Sequence, residues 1–286
     1  MTLYFVRDSL QQARTVGTLG TWEYLGPMPD IVPLCGNQIS IVRAKRMTRF
    51  EETNWGDAAR TKEYRDNADH YVPERQLLVS VLASFYRHSV THPGTQRVLD
   101  LGCGDGIVGA TLCSVDPAIR LCAIDGSEDM LKAARRRLAN ARVELLSCAT
   151  FQQIIRGEVE LGIFDFVASA FAIHHVDLSE KKVLFRCILT MLKSGCCFVN
   201  LDVILPRERH HEDWYYDLWR EWIQRHRTEV SLSESFAHVP AEARRKPENF
   251  YDSLEDQLDA LRHAGFTEVE CHYRHGLFGI YSGRKP

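Results

Sequence analysis

The chain has 286 residues, of which 45% are hydrophobic and 26% are charged, and its formal net charge is −3. This length and composition are typical of a globular protein with one large α/β domain and additions, or with two smaller units. The small net charge excludes a general attraction to nucleic acids or anionic membranes, and no apolar run approaches membrane-spanning length.

Residues 1–46 contain scattered glycines and prolines that interrupt any long helix. They predict either an added layer of strands and loops or a translated upstream region, with Met47 as an alternative start. The pattern becomes helical from residue 47 to residue 96. One helix is predicted from Trp55 to Ala68 and a second from Gln76 to His88.

The segment 97–205 alternates apolar strands with helices, which is the pattern of a doubly wound parallel sheet. Its first strand, Arg97–Leu101, runs into a loop with glycines at 102, 104 and 106 and then into a helix. Glycine permits the sharp turn and a close approach by a ligand, and the N–H groups at the helix start point toward that ligand. The second strand leads, about 20 residues after the loop, to Asp125, a carboxylate suited to the two hydroxyls of a ribose. The other strands are predicted at Arg120–Ile124, Val143–Ser147, Phe164–Ser169 and Cys196–Val203.

Two carboxylates distinguish this loop from a dinucleotide-binding loop. The fingerprint G-x-G-x-x-G is replaced by G-x-G-x-G, with Asp100 ahead of the loop and Asp105 inside it. A carboxylate inside the loop repels a pyrophosphate and attracts an ammonium or sulfonium group. S-adenosylmethionine carries both of these cations and no phosphate, so the charge pattern favours it over NAD or FAD.

The stretch VLDLGCGDG at 98–106, followed by AIDGS at 123–127, resembles the signature of the Rossmann-like (class I) S-adenosylmethionine-dependent methyltransferases. The resemblance implies an α/β fold with a mostly parallel seven-stranded sheet, an antiparallel last strand, and residues 47–96 as a helical cover. The family's aspartate after the third strand, which accepts from the adenine amino group, is matched here by Ala149, so backbone groups are the expected contacts there. The expected cofactor-binding residues are Asp100, Gly102, Cys103, Gly104, Asp125, Gly126, Ser127, Cys148, Ala149, Ala170, Tyr71 and Arg75.

His174 and His175 follow the fourth predicted strand, in the loop that the resemblance places beside the methionine end of the cofactor. Histidine has an ordinary pKa near neutral, so His174 is predicted as a general base for an acceptor hydroxyl or amine. The alternative is that a histidine hydrogen-bonds the backbone and shapes the loop. Adjacent side chains diverge, so a metal site is not expected here.

Residues 206–250 are predicted to form a helical insertion before the last two strands. Tyr215, Leu218, Trp219 and Trp222 share a helical face that either packs on the core, lines a substrate pocket as a lid, or forms a homodimer contact. The polar residues 210–212 indicate a solvated cluster rather than a metal site. The predicted acceptor-contacting residues are Tyr64, His175, Trp214, Tyr215 and Trp219.

Residues 251–286 are predicted to complete the core with a helix from Asp252, a strand from Thr267 and a final antiparallel strand from His272 to Tyr281. The ending Q-L-x-x-L-x-x-A-G-F, together with the insertion, resembles the branch that contains carboxy-S-adenosylmethionine synthase and many uncharacterised methyltransferases. The resemblance covers residues from about 55 to 286 and indicates the cofactor class better than the acceptor.

The nine cysteines argue against disulfides and zinc, because no C-x-x-C motif occurs and several cysteines lie in or beside apolar runs. No secretory signal is evident either, so the sequence predicts a cytoplasmic protein in a reducing compartment, without a metal.

The predicted function is methyl transfer from S-adenosylmethionine to a small-molecule acceptor by in-line attack of an O, N, S or C atom. The sulfonium is already a good leaving group, so the protein mainly has to hold the acceptor in line and exclude water. A carboxy-S-adenosylmethionine synthase is the enzyme alternative and would need a cation near the sulfonium, from Arg75, Arg220, Arg225 or Arg244. Further alternatives are a cofactor-binding module without turnover and a nicotinamide-dependent reductase.

Overall fold

The computed structural model describes Trp55, residues 57–90 and residues 95–286, apart from the side chain of Arg60. The chain divides into two units, Met1–Met47 and Thr48–Pro286, and the described residues all belong to the second. The predicted N-terminal extension at 1–46 therefore lies outside the described residues.

Seven strands form one sheet in the order β3-β2-β1-β4-β5-β7-β6. The first five strands pair in parallel, and β7 is antiparallel to both β5 and β6. This arrangement confirms the predicted doubly wound, mostly parallel sheet. The strands are β1 Arg97–Leu101, β2 Arg120–Asp125, β3 Val143–Cys148, β4 Phe164–Ala170, β5 Leu192–Val203, β6 Thr267–His275 and β7 Phe278–Arg284.

Helices cover both faces of the sheet. Successive strand residues point to opposite faces, so the apolar side chains of the strands form one core on each face. Val98 and Phe166 are fully buried in one core, and Leu99 and Val167 are fully buried in the other. The helices are α1 Ala58–Tyr71, α2 Arg75–Ser89, α3 Ile107–Val115, α4 Glu128–Arg137, α5 Phe151–Ile155, α6 Leu178–Met191, α7 Glu212–Glu229, α8 Val239–Arg245 and α9 Leu254–Ala264, with 3₁₀ turns at Ile173–His175 and Arg209–His211.

The last two strands divide at a different place from the prediction. A single final strand was expected from His272 to Tyr281, but β6 continues to His275 and β7 begins at Phe278. Gly276 lies in the turn between them with φ of 55°, a conformation that glycine adopts without strain. The position of the turn is therefore set by Gly276, which separates the two strands.

The insertion forms the predicted helix, but its buried face is shifted from the expected one. Tyr216, Trp219 and Ile223 are the buried residues of α7, whereas Tyr215 is half-buried with the guanidinium of Arg274 5.0 Å from its ring centroid. The aromatic residues of α7 lie on several of its faces, so helical spacing alone did not identify the face that packs inward. Among the described helices, none is long and apolar enough to cross a membrane.

Candidate functional site

The glycine loop lies at the carboxyl end of β1, where the strand order reverses between β1 and β4. Open α/β sheets bind ligands at this switch point. Gly102 and Gly104 have φ of 72° and 52°, in the left-handed region that favours glycine. A Cβ built on Gly102 would lie 2.5 Å from the Cβ of Ala172, whereas a Cβ on Gly104 would meet nothing within 4 Å. Gly102 is therefore packed against the loop after β4, and Gly104 faces open space.

Alanine substitutions at Gly102 and Gly104 are expected to have unequal effects on stability. Both substitutions place a Cβ at positive φ, at a cost of about 1–2 kcal/mol. Gly102→Ala also overpacks the contact with Ala172, so we expect it to lower the free energy of unfolding by about 2–4 kcal/mol, about twice the loss for Gly104→Ala. Urea unfolding of both variants measures the difference. Equal losses would contradict the packed position of Gly102.

Asp125 ends β2 beside the glycine loop and is half-buried. One of its carboxylate oxygens accepts a hydrogen bond from the N–H of Gly104 and the other from the N–H of Ser127, both at 2.8 Å. Burial raises the pKa of Asp125, and these two backbone bonds act in the opposite direction. Each oxygen keeps a second lone pair, so the carboxylate can still accept from a pair of ligand hydroxyls.

The neighbouring predicted residues hold the loop and the start of α4 in place. The N–H groups of Gly102 and Cys103 both donate to the carbonyl of Ile124 at 2.8 Å. The Ser127 hydroxyl accepts from the N–H of Met130 at 3.4 Å, which confirms the predicted helix N-cap. Cys103 and Ser127 are buried, so their contribution to a ligand site is to shape the backbone.

Asp100 is fully buried beneath the loop. Its Oδ2 accepts from the N–H of Gly109 in α3 at 2.8 Å, and its Oδ1 has no hydrogen-bond partner among the described residues. Burial is the main cause that raises the pKa of Asp100 to about 7, and the nearby Asp125 and Asp105 raise it further. Asp100 therefore positions α3 under the loop, and its side chain does not reach the open crevice.

The raised pKa of Asp100 predicts a pH dependence of stability. The folded chain keeps a proton on Asp100 that the unfolded chain releases near the ordinary value of 3.8, so stability should fall as the pH rises from about 4 to about 7. Asp100→Asn cannot release this proton. We expect its free energy of unfolding, relative to the natural chain, to increase by about 2 kcal/mol between pH 5 and pH 8. Urea unfolding at the two pH values tests this, and a constant difference would contradict it.

Asp105, the acid inside the loop, is paired with cations. Its Oδ2 lies 2.5 Å from a guanidinium nitrogen of Arg137, and its Oδ1 lies 4.0 Å from one of Arg75. These arginines offset its charge, so the predicted attraction between Asp105 and a ligand cation is weaker than the sequence implied. Arg75 begins α2, is buried, and also donates to Asp69 at 2.6 Å. It therefore connects the helical cover to the glycine loop.

The end of β3 limits which backbone groups of Cys148 and Ala149 could contact an adenine ring. The N–H of Ala149 donates to the carbonyl of Asp125 at 3.0 Å, so this amide is not open to an adenine ring. Cys148 is exposed, and its thiol donates to the carbonyl of Gly126 at 3.4 Å. Cys148 is thus the exposed side chain at this end of the strand, while Ala149 is buried.

A cavity of about 130 Å³ lies beside this crevice, between α1, the loop after β4 and the insertion. Tyr64, His175 and Trp219, three of the predicted acceptor contacts, line it, and so does Tyr71, which was predicted for the cofactor. The predicted contacts Trp214 and Tyr215 are not among its lining residues, and Trp214 is 55% exposed. The aromatic residues that line the cavity are Trp55, Tyr64, Tyr71, Phe171, Trp219, Tyr251 and Phe278.

Two contacts place the cavity next to the glycine loop. Burial raises the pKa of Tyr64, which lies near Arg75, and the positive charge of Arg75 acts in the opposite direction. Arg75 in turn approaches Asp105 of the loop. Ala172, in the loop after β4, packs against Gly102. Ala170 ends β4 and is followed by Phe171, a cavity residue with φ of 53°. Positive φ at a residue other than glycine is strained, and such strain clusters at functional sites.

His174 lines the cavity with its ring oriented by a buried carboxylate. Its Nδ1 lies 2.6 Å from Oδ1 of Asp202, and its backbone N–H donates to Oδ2 of the same residue at 3.0 Å. In the neutral ring this bond places the proton on Nδ1 and leaves Nε2 as a proton acceptor. Asp202, on β5, is fully buried and also accepts from the N–H of Val203 at 2.9 Å. This is the geometry of an oriented general base.

His175 joins two walls of the cavity. Its Nε2 accepts from the indole N–H of Trp55 at 2.7 Å, and its Nδ1 lies 3.3 Å from the carbonyl of Glu248 in the insertion. Burial and the adjacent His174 lower the pKa of His175 well below its usual value. The ring is therefore neutral, with the proton on Nδ1, and it fits the alternative in which a histidine shapes the loop.

Three contributing residues were missed by the sequence analysis. Asp202 is an acid within an apolar strand, a signal that could have identified it, because buried carboxylates are rare without a role. Trp55 was read only as part of a helix. Lys181 is fully buried and donates to the carbonyl of Phe250 at 2.5 Å, with Asp252 as its ion-pair partner.

The described residues contain no cluster of three or more histidine, cysteine or acidic side chains that could hold a metal.

Comparisons with known proteins agree with this architecture. Residues 98–195 match the family model described as Methyltransferase domain. An uncharacterized methyltransferase of Mycobacterium tuberculosis is 38% identical over 84 residues, which are 29% of this chain and 40% of that protein. Ribosomal RNA small subunit methyltransferase C of Salmonella arizonae is 34% identical over 124 residues, 42% of this chain and 32% of that protein. The chain thus spans 40% or less of the length of these two relatives.

Solved structures show the same fold at low sequence identity. An O-methyltransferase family protein from Burkholderia thailandensis superposes with a TM-score of 0.59 and 18% identity, covering 82% of this chain and 62% of that one. This superposition extends the likeness well beyond the 98 matched positions, to most of the seven-stranded sheet and its helices. Residues 98–195 are therefore similar to a methyltransferase domain, and the chain has a Rossmann-like fold.

Proposed function

We propose that the protein transfers a methyl group from S-adenosylmethionine to a small-molecule acceptor that has a proton to lose, with His174 as the general base. The observation that carries this proposal is the position of the Asp202–His174 pair. It faces a cavity with an aromatic lining, and that cavity adjoins the glycine loop at the start of the segment that matches a methyltransferase domain.

The crevice residues fit the cofactor. Gly104 leaves room for a ligand against the backbone, and Asp125 has lone pairs for the ribose hydroxyls. The carboxylate of Asp125 makes the crevice a poor site for a diphosphate. Arg75, next to the loop, is the candidate partner of the cofactor carboxylate. When bound, S-adenosylmethionine supplies a methyl carbon on a sulfonium, which leaves without further activation.

The protein's own contribution is to accept a proton and to exclude water. Nε2 of His174 takes the proton of the acceptor, and Asp202 stabilises the imidazolium that forms. The cover and the insertion are joined through His175 on opposite sides of the cavity. Closing the cavity in this way strengthens the electrostatic interactions inside it and holds the acceptor in line.

The small volume of the cavity, about 130 Å³, favours a small molecule over RNA, although one relative is named as a ribosomal RNA methyltransferase. An RNA base would have to be extruded from its strand to reach His174. A carboxy-S-adenosylmethionine synthase is disfavoured by the charges. Arg220, Arg225 and Arg244 are exposed on the insertion and do not line the cavity, and Arg75 is the candidate partner of the cofactor's own carboxylate.

Incubation of the full chain with methyl-labelled S-adenosylmethionine and a cell lysate tests the proposal. The lysate is separated afterwards into small molecules, RNA and protein. We expect label in the small-molecule fraction as a methylated product. Label in RNA alone would overturn the acceptor assignment, and a carboxylated cofactor detected by mass spectrometry would overturn methyl transfer itself.

A further inference from the structure

We infer that the acceptor is a phenol with one aromatic ring and no acidic substituent. This inference rests on the proposed function and deepens it by naming the acceptor class. It follows from the size of the cavity, its aromatic lining, the charges at its mouth and the base at its floor.

The size of the cavity limits the acceptor to about one ring. An apolar protein cavity of about 150 Å³ accommodates benzene, and this cavity measures about 130 Å³. A second fused ring would exceed this volume and extend toward the open side of the cavity. The walls are held by the two hydrogen bonds of His175 and by the indole N–H of Trp219, which donates to the carbonyl of Tyr71 at 2.5 Å.

The lining of the cavity favours a flat aromatic acceptor. Trp219 and Phe278 meet edge to face, with ring centroids 5.1 Å apart and an angle of 87° between the rings. Tyr251 packs against His174, with centroids 5.4 Å apart, next to the base. Aromatic rings prefer such offset and edge-to-face neighbours, so a planar ring gains more here than a branched aliphatic molecule.

The charges around the cavity disfavour an anionic acceptor. Glu63 and Glu242 are exposed lining residues and mark its mouth, together with the half-buried Lys246. Glu248, also in the lining, is buried. Three acids and one lysine thus line the cavity, and this lining favours a neutral acceptor over one that carries a carboxylate or phosphate.

The base selects among neutral hydroxyl compounds. A phenol has a pKa of about 10, so an imidazole base can remove its proton during the transfer. An aliphatic alcohol has a pKa near that of water, about 16, and gives up its proton much less readily. In the transfer step the phenol oxygen bonds to the methyl carbon as the carbon–sulfur bond breaks. The phenolic proton passes to Nε2 of His174, and the thioether product leaves with the electron pair of the broken bond.

Four single-ring compounds test the inference. Labelled methyl transfer by the full chain is measured with 4-methylphenol, 4-methylaniline, cyclohexylmethanol and 4-hydroxybenzoate, and the binding of S-adenosylhomocysteine is measured separately by calorimetry. We expect kcat/KM for 4-methylphenol to exceed each of the others at least tenfold. A higher value for any of the other three would overturn the inference. So would tight binding of S-adenosylhomocysteine without any methylation of 4-methylphenol.

A matched pair of variants locates the acceptor. Val239→Trp fills the cavity from α8, whereas Val230→Trp adds the same side chain at an exposed position, 47% accessible, after α7. We expect Val239→Trp to lower kcat/KM for 4-methylphenol at least twentyfold with an unchanged Kd for S-adenosylhomocysteine, and Val230→Trp to change neither. Equal activity of the two variants would place the acceptor elsewhere. Failure of the natural chain to bind S-adenosylhomocysteine would instead contradict the proposed function.

Discussion

His174→Asn is expected to lower kcat for methyl transfer about 10²- to 10⁴-fold, the range by which a positioned general base accelerates proton transfer. Asparagine retains a hydrogen-bonding group next to Asp202 but cannot take the proton of the acceptor. The Kd for S-adenosylhomocysteine should stay unchanged, because His174 lies on the cavity side of the loop after β4. Steady-state kinetics with the acceptor found in the labelling experiment provide the measurement.

The chain offers a matched control in a second pair of adjacent histidines, His210 and His211, on the exposed start of the insertion. His211→Asn should leave kcat within twofold of the natural value. A His174→Asn variant that folds and keeps full kcat would show that the transfer needs no base from the protein. The role of Asp202 would then be limited to holding the loop.

Asp125→Ala is expected to raise the Kd for S-adenosylhomocysteine about 5- to 150-fold. This corresponds to the loss of charge-assisted hydrogen bonds worth about 1–3 kcal/mol. Part of the effect passes through Gly104 and Ser127, whose N–H groups lose their acceptor. Isothermal titration calorimetry measures the change.

Asp129→Ala, in the first turn of α4, is the control for Asp125→Ala, because it removes an acid four residues away outside the crevice. Its Kd should match that of the natural chain. Circular dichroism separates a binding defect from unfolding. A folded Asp125→Ala variant with an unchanged Kd would mean that Asp125 does not hold the ribose.

The centre of the sheet could be predicted because β1, β2 and β4 are short apolar runs that are mostly buried, and an apolar run is a local pattern. The glycine loop and Asp125 could be predicted as well, since the glycines and the acid are separated by one predictable helix. The role of Asp105 could not, because Arg137 and Arg75 approach it from other elements. The sequence therefore overstated how much of the negative charge of Asp105 is available to attract a ligand.

The cavity was the hardest part to predict, because its walls come from segments far apart in the chain. The bond between Trp55 and His175 joins residues 120 positions apart, and that between Trp219 and Tyr71 joins residues 148 apart. Helical spacing placed both Tyr215 and Trp219 on the inward face of α7, but tertiary packing buries Tyr216 together with Trp219 and leaves Tyr215 half-buried. The pairing of His174 with Asp202 likewise depends on β5 lying beside β4.

The most direct test of the account is a calorimetric titration of the full chain with S-adenosylhomocysteine and, separately, with NADH. We expect S-adenosylhomocysteine to bind one site per chain, weakened by Asp125→Ala, and we expect no measurable heat from NADH. Binding of NADH at the same site, or no binding of S-adenosylhomocysteine by the folded chain, would contradict a crevice built for a phosphate-free adenosine sulfonium.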